Sequence, residues 1–166
     1  MARIAFNFLK GKQLWMFAAS LAVVFIAALI GSIFTIASIP TWYAQLAKPA
    51  FTPPSWVFGP AWTVLYVLMA VSFFLVWEKG FKGSNRNVAI GVYGLQLCLN
   101  VLWSVVFFGM RSPLSGLFVI ALLWLSIAAT IAVFWRISKT ASWLLVPYIL
   151  WVSFASVLNY YVWILN

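Results

Sequence analysis

Charge is almost absent from this chain, and where it falls decides what the chain can become. Ten basic residues and one acidic residue divide it into five uncharged stretches, 13–47, 49–77, 87–110, 112–135 and 140–166. A helix crosses a bilayer with about 20 apolar residues, and each stretch is long enough for one. With 66% of its 166 residues hydrophobic and 7% charged, a soluble domain could not hide the apolar surface. The expectation is an all-α membrane protein, one domain over 1–166. Its five transmembrane helices are expected at about 13–35, 55–77, 87–108, 113–135 and 142–163.

An odd number of spans puts the termini on opposite sides. One side then receives Arg3, Lys10, Lys12, Lys79, Lys82, Arg86, Arg136 and Lys139, the other only Lys48 and Arg111. Basic loops stay in the cytoplasm, so the N-terminus is expected there. A helical bundle favours an inner cell membrane. The net charge of +9 reads as topology and attraction to anionic lipid. With no basic face on a soluble domain, nucleic acid is not an expected partner. Arg3, Lys10 and Lys12 resemble the basic start of a signal peptide, but the apolar run that follows is too long and has no small-x-small cleavage site. It is read as the first span.

Between the first two spans, residues 40–62 carry Pro40, Pro49, Pro53, Pro54 and Pro60 together with Trp42, Trp56 and Trp62. Proline fixes φ, removes a donor and turns its predecessor away from helix. A stiff aromatic loop is expected, becoming helix near Ser55. A loop this apolar would fold as a lid over whatever the helices enclose. An interfacial connector with tryptophans at headgroup level is the plainer alternative.

Along the first span, Ala27/Gly31 and Ala28/Ser32 are small pairs four apart, suited to close helix approach in lipid. In the third, Gln96, Asn100, Trp103 and Phe107 form one helical stripe. Amides inside a span should face the bundle or a cavity. An interhelical hydrogen bond is expected of Gln96; for Asn100, that role and a ligand role stand level. Cys98, mid-span, is read as a buried packing residue. Pro113 suits the first turn of the fourth helix, whose aliphatic run makes it scaffold. Pro147 allows a kink early in the fifth, where Tyr148, Trp151, Ala155, Leu158 and Val162 make a stripe. Tyr160, Tyr161 and Trp163 read as an interfacial belt.

Catalytic chemistry is scarce. The chain has no histidine, and Glu78 is its one acid. Paired carboxylates, a metal-binding cluster, a haem-ligating histidine and an intramembrane ionisable group for proton coupling are all missing. What abounds is tryptophan, eleven in all. Trp62, Trp103 and Trp151 lie inside spans, offering flat apolar faces and N–H donors. Such walls suit a large, planar, apolar ligand; plain core filling is the alternative.

Four segments resemble a known family. They are W-Y-A-Q-L-A-K-P-A-F-T-P-P-S-W-V-F-G-P-A-W-T-V-L-Y (42–66), Q-L-C-L-N-V-L-W (96–103), F-F-G-M-R (107–111) and P-Y-I-L-W-V-S-F-A-S-V-L-N-Y-Y-V-W (147–163). In order and extent they are similar to the translocator protein, or tryptophan-rich sensory protein, family. The resemblance implies a five-helix bundle, commonly a homodimer, whose cavity beneath the first loop binds porphyrins, sterols and benzodiazepine-type ligands. No obligatory cofactor is implied; porphyrin, as protoporphyrin IX or haem, is the expected ligand. Carried onto this chain, the ligand-binding set is Pro53, Trp56, Phe58, Gly59, Trp62, Asn100, Trp103, Phe107, Trp151, Ala155 and Leu158, with Ser32 and Thr35 nearby. Members that degrade porphyrin in light rely on two tryptophans, matched by Trp62 and Trp151.

The chain also departs from the family. No basic residue follows Trp163, as one does in the animal members' proposed cholesterol motif. Ser115 stands where those members have tryptophan. Gly91 and Gly94 are three apart rather than four, which weakens the helix 3 dimer motif. Three roles follow in order: a sensor binding a tetrapyrrole, a transporter of porphyrin or sterol, and a light-dependent porphyrin degrader. Binding leads because no ordinary acid, base or metal is present for turnover.

Overall fold

The computed structural model describes residues 11–80 and 85–166. The basic tail over 1–10 and the turn over 81–84 lie outside the described residues. Among those described, every regular element is helical: α1 (Gly11–Ser38), α2 (Phe58–Glu78), α3 (Asn85–Ser104), α4 (Pro113–Trp135), α5 (Lys139–Leu144) and α6 (Val146–Leu165). Five segments are long and apolar enough to cross a membrane: Gly11–Tyr43, Ser55–Glu78, Asn87–Gly109, Pro113–Trp135 and Lys139–Leu165. Lipid offers no partner to a backbone N–H or C=O, so each span must satisfy its own, which a helix does. The side-chain hydroxyls follow suit. Ser20, Thr35 and Ser156 donate to carbonyls four residues back, which removes their need for a distant partner.

Packing closes a ring. α1 touches α2 and α3, α3 touches α4, α4 touches α6, and α2 completes the circuit through α5 and α6. Val24, Met69, Tyr93, Ile127, Phe134 and Tyr148 are buried at its centre. Small residues permit the closest approaches. A Cβ on Gly31 would lie 3.2 Å from Ser104 Oγ, and one on Gly109 only 2.8 Å from the ring of Phe34. These positions bind the far half of α1 to the end of α3.

The helix bounds differ from the sequence expectation in instructive places. Helix 1 does not stop at residue 35. It runs on through a π-turn, Ile39–Tyr43, so Pro40 and Trp42 are helical rather than loop. A π-turn is wider than an α-turn, which lets the Pro40 ring sit without striking the preceding carbonyls. Thr41 Oγ1 donates to the Ala37 carbonyl at 3.0 Å, adding a bond where proline removes one. A second π-turn, Val105–Gly109, ends the third span, and Ser38 Oγ donates to the Phe108 carbonyl there at 2.8 Å.

The fifth span starts earlier than residue 142 and is broken rather than kinked. Ser138 caps α5 by accepting from the Ala141 N–H. The chain breaks at Leu145, and Pro147 stands in the first turn of α6, where it needs no donor. Cys98 also differs: it is exposed. Two residues on from buried Gln96, it lies about 200° round the helix and so faces outward.

The first loop proper is residues 46–54, shorter than expected. Lys48 Nζ donates to the Leu46 carbonyl at 2.8 Å and sits over the Tyr43 ring. Phe51 packs edge-on against Tyr161, 5.4 Å between centroids. Asn166 grips the loop from the end of α6. Its Oδ1 accepts from the Ala47 N–H at 3.0 Å, and its Nδ2 donates to the Ala47 carbonyl at 3.1 Å.

Candidate ligand cavity

Toward the loop end of the bundle, α1, α2, the end of α3 and α6 bound a cavity of about 500 Å³. That is within the range of small-molecule sites. Nine of the residues expected at a ligand site line it: Trp56, Phe58, Gly59, Trp62, Trp103, Phe107, Trp151, Ala155 and Leu158. Ser32 and Thr35 of α1 line it too. Pro53 and Asn100 are not among its lining residues.

The aromatic wall is held by ring contacts. Trp62 stacks on Tyr66 at 5.4 Å and meets Tyr148 edge-on at 6.2 Å. Phe58 stands edge-on to Trp151 at 5.9 Å. Trp103 stacks on Phe107 at 5.2 Å, and Trp42 meets Phe107 edge-on at 5.6 Å. Offset and edge contacts of this kind add about 0.5–1.5 kcal/mol beyond the area they bury. The walls are therefore fixed by neighbours.

Asn100 works one layer deeper. Tyr66 Oη donates to its Oδ1, and its Nδ2 donates to Tyr148 Oη, both at 3.0 Å. The amide thus joins α2, α3 and α6 beneath the cavity floor. Gln96, one turn earlier, was expected to make such a bond and does not. It is 1% exposed, and neither amide atom has a partner. The stripe placed it inside correctly, but neither Tyr66 nor Tyr148 reaches it.

Asn159 carries a role that sequence reasoning missed. Its Oδ1 accepts from Trp103 Nε1 at 3.1 Å and its Nδ2 donates to the Pro113 carbonyl at 2.7 Å. It lines the cavity and fixes the Trp103 indole. An amide within an apolar span was the available signal, the same one that singled out Asn100. Trp151 differs from Trp103: its Nε1 is buried and has no partner.

Comparison with known proteins is decisive at this point. Residues 19–164 match the TspO/MBR family. The chain belongs to the TspO/MBR family. It is 46% identical over 148 residues to a protein of Archaeoglobus fulgidus named tryptophan-rich protein TspO, covering 89% of this chain and 95% of that one. A Chlorobaculum tepidum protein of the same name is 43% identical over 155 residues, covering 93% and 98%. The human translocator protein is 40% identical over 135 residues, covering 81% and 80%. Family membership and five apolar spans together make this TspO/MBR chain a multi-pass membrane protein.

Proposed function

We propose that the chain binds a tetrapyrrole, or a similarly large planar apolar molecule, in this cavity and acts as a membrane sensor or regulator. One observation carries the reading. Four indoles, Trp56, Trp62, Trp103 and Trp151, line a cavity of about 500 Å³ with no charged side chain among its described lining residues. Flat π-faces suit a conjugated macrocycle better than a sterol, which has no aromatic face to stack. A second reading, movement of such a ligand across or within the membrane, is supported by the name of the human relative, translocator protein.

The test is a protoporphyrin IX titration of the purified protein, first in the dark and then in light. Saturable quenching of tryptophan emission with a stable porphyrin band is the expected result. Bleaching under light would favour porphyrin degradation and make Trp62 and Trp151 the first residues to replace. Absence of saturable quenching would overturn the binding reading.

A further inference from the structure

We infer that this cavity takes its ligand sideways from the bilayer, through an opening between α1 and α2, and not past the first loop. The inference rests on the binding reading above.

α1 and α2 are pinned to each other at one end by side-chain contacts. At the end away from the loop, Gln13 Nε2 donates to Glu78 Oε1 at 2.6 Å and Phe17 meets Phe74 edge-on at 5.4 Å. Toward the loop end each helix leans on a different neighbour. α1 is drawn to the end of α3 by the Gly31–Ser104 and Phe34–Gly109 approaches and by the Ser38 bond to Phe108. α2 is drawn to α6 by Trp62 on Tyr148 and Phe58 on Trp151. The loop-end halves of α1 and α2 are thus anchored to different partners.

Exposure marks the gap. Leu29 and Ile36 of α1 line the cavity yet are 65% and 68% exposed, and Trp56 at the head of α2 is 75% exposed. Lining side chains this exposed are the ones expected at a rim, where the wall is at its thinnest. On the α2 edge stand Gly59 and Thr63, one turn apart, both exposed and both lining the cavity. An added Cβ on Gly59 would meet nothing within 4 Å. Both edges belong to spans, Gly11–Tyr43 and Ser55–Glu78. Residues 13–47 and 49–77 carry no charge, so the opening faces hydrocarbon. The aqueous end is closed instead. Trp42 and Tyr43 pack on Phe107, Tyr43 packs on Phe108, and the loop beyond them is fastened by Asn166.

Stopped-flow measurements on the full chain in phosphatidylcholine vesicles test this, with protoporphyrin IX dimethyl ester as a neutral, lipid-soluble probe. Gly59→Leu and Thr63→Phe place bulk in the gap, and each is expected to slow both association and dissociation about tenfold. Slower dissociation separates a narrowed passage from a shrunken cavity, which would release the probe faster. Asn166→Ala unfastens the loop and is expected to leave both rates unchanged. Faster association in Asn166→Ala, or rates indifferent to both α2 variants, would overturn the lateral route while leaving the binding reading intact. No saturable binding in the unaltered protein would overturn both.

Discussion

At the scale of single residues, two glycines of similar sequence context meet opposite surroundings. Gly109 faces the Phe34 ring so closely that a methyl group would sit 2.8 Å from it. Overpacking a tight contact costs about 1–3 kcal/mol. Gly109→Ala should therefore lower the thermal midpoint in detergent. Gly59→Ala, whose new methyl meets nothing, should leave the midpoint unchanged or raise it slightly, with an effect of about 0.4–1 kcal/mol. Equal midpoints for the two variants would refute the packing account of the α1–α3 junction. Single residues were unevenly legible beforehand. An amide in an apolar span announces that it lies inside, and Gln96, Asn100 and Asn159 are all buried. It does not announce its partner, because partners come from other helices: Tyr66 and Tyr148 for Asn100, Trp103 for Asn159, and none for Gln96. The position of Cys98 was legible in principle, since residues 96 and 98 cannot share a helix face.

At the scale of elements, the charge gaps located the spans well. Residues 113–135 were expected, and Pro113–Trp135 is helical. The π-turns could not be read, because an i→i+5 bond leaves no mark in composition. A proline such as Pro40 signals a stop as readily as a widened turn. The Asn166 clasp was equally hidden, joining positions 119 residues apart. It supports a sharp expectation. Removing the clasp leaves the Ala47 N–H without its acceptor, and a lost hydrogen bond is worth about 1 kcal/mol. Asn166→Ala should speed hydrogen exchange in peptides covering 46–54 by about fivefold, since local opening governs exchange there. Peptides of α4, which the clasp does not touch, should be unaffected. Unchanged protection over 46–54 would mean that the Phe51 contacts with Phe154 and Tyr161 suffice to hold the loop.

At the scale of the whole molecule, the cavity lies where the loop-end half of α1 leans on the end of α3 and that of α2 leans on α6. No local pattern encodes that. It emerges from which helix each half of α1 and α2 prefers, and so the lining set read from resemblance gained Ile39, Tyr43, Tyr66 and Asn159 only once the bundle was assembled. The asymmetry also gives the molecule a direction. The loop end carries Lys48 and Arg111, and the opposite end carries Lys79, Arg136 and Lys139. Ser72 Oγ donates to the Ala141 carbonyl at 2.7 Å, which sets the start of α5 beside the far end of α2. If the basic excess fixes orientation, the loop end faces away from the cytoplasm. Ala50 in the loop and Thr140 at the opposite end are both exposed. With Cys98 changed to serine, Ala50→Cys should react with a membrane-impermeant maleimide in intact cells. Thr140→Cys should react only after permeabilisation. The reverse pattern would invert the bundle and place the loop-end half of α1 and α2, with the cavity, in the cytoplasmic leaflet. The lateral opening itself would survive that inversion, since it depends on the spans and not on their direction. Under the proposed lateral route, the leaflet supplying a ligand would change, and with it the compartment that a sensor of this kind would sample.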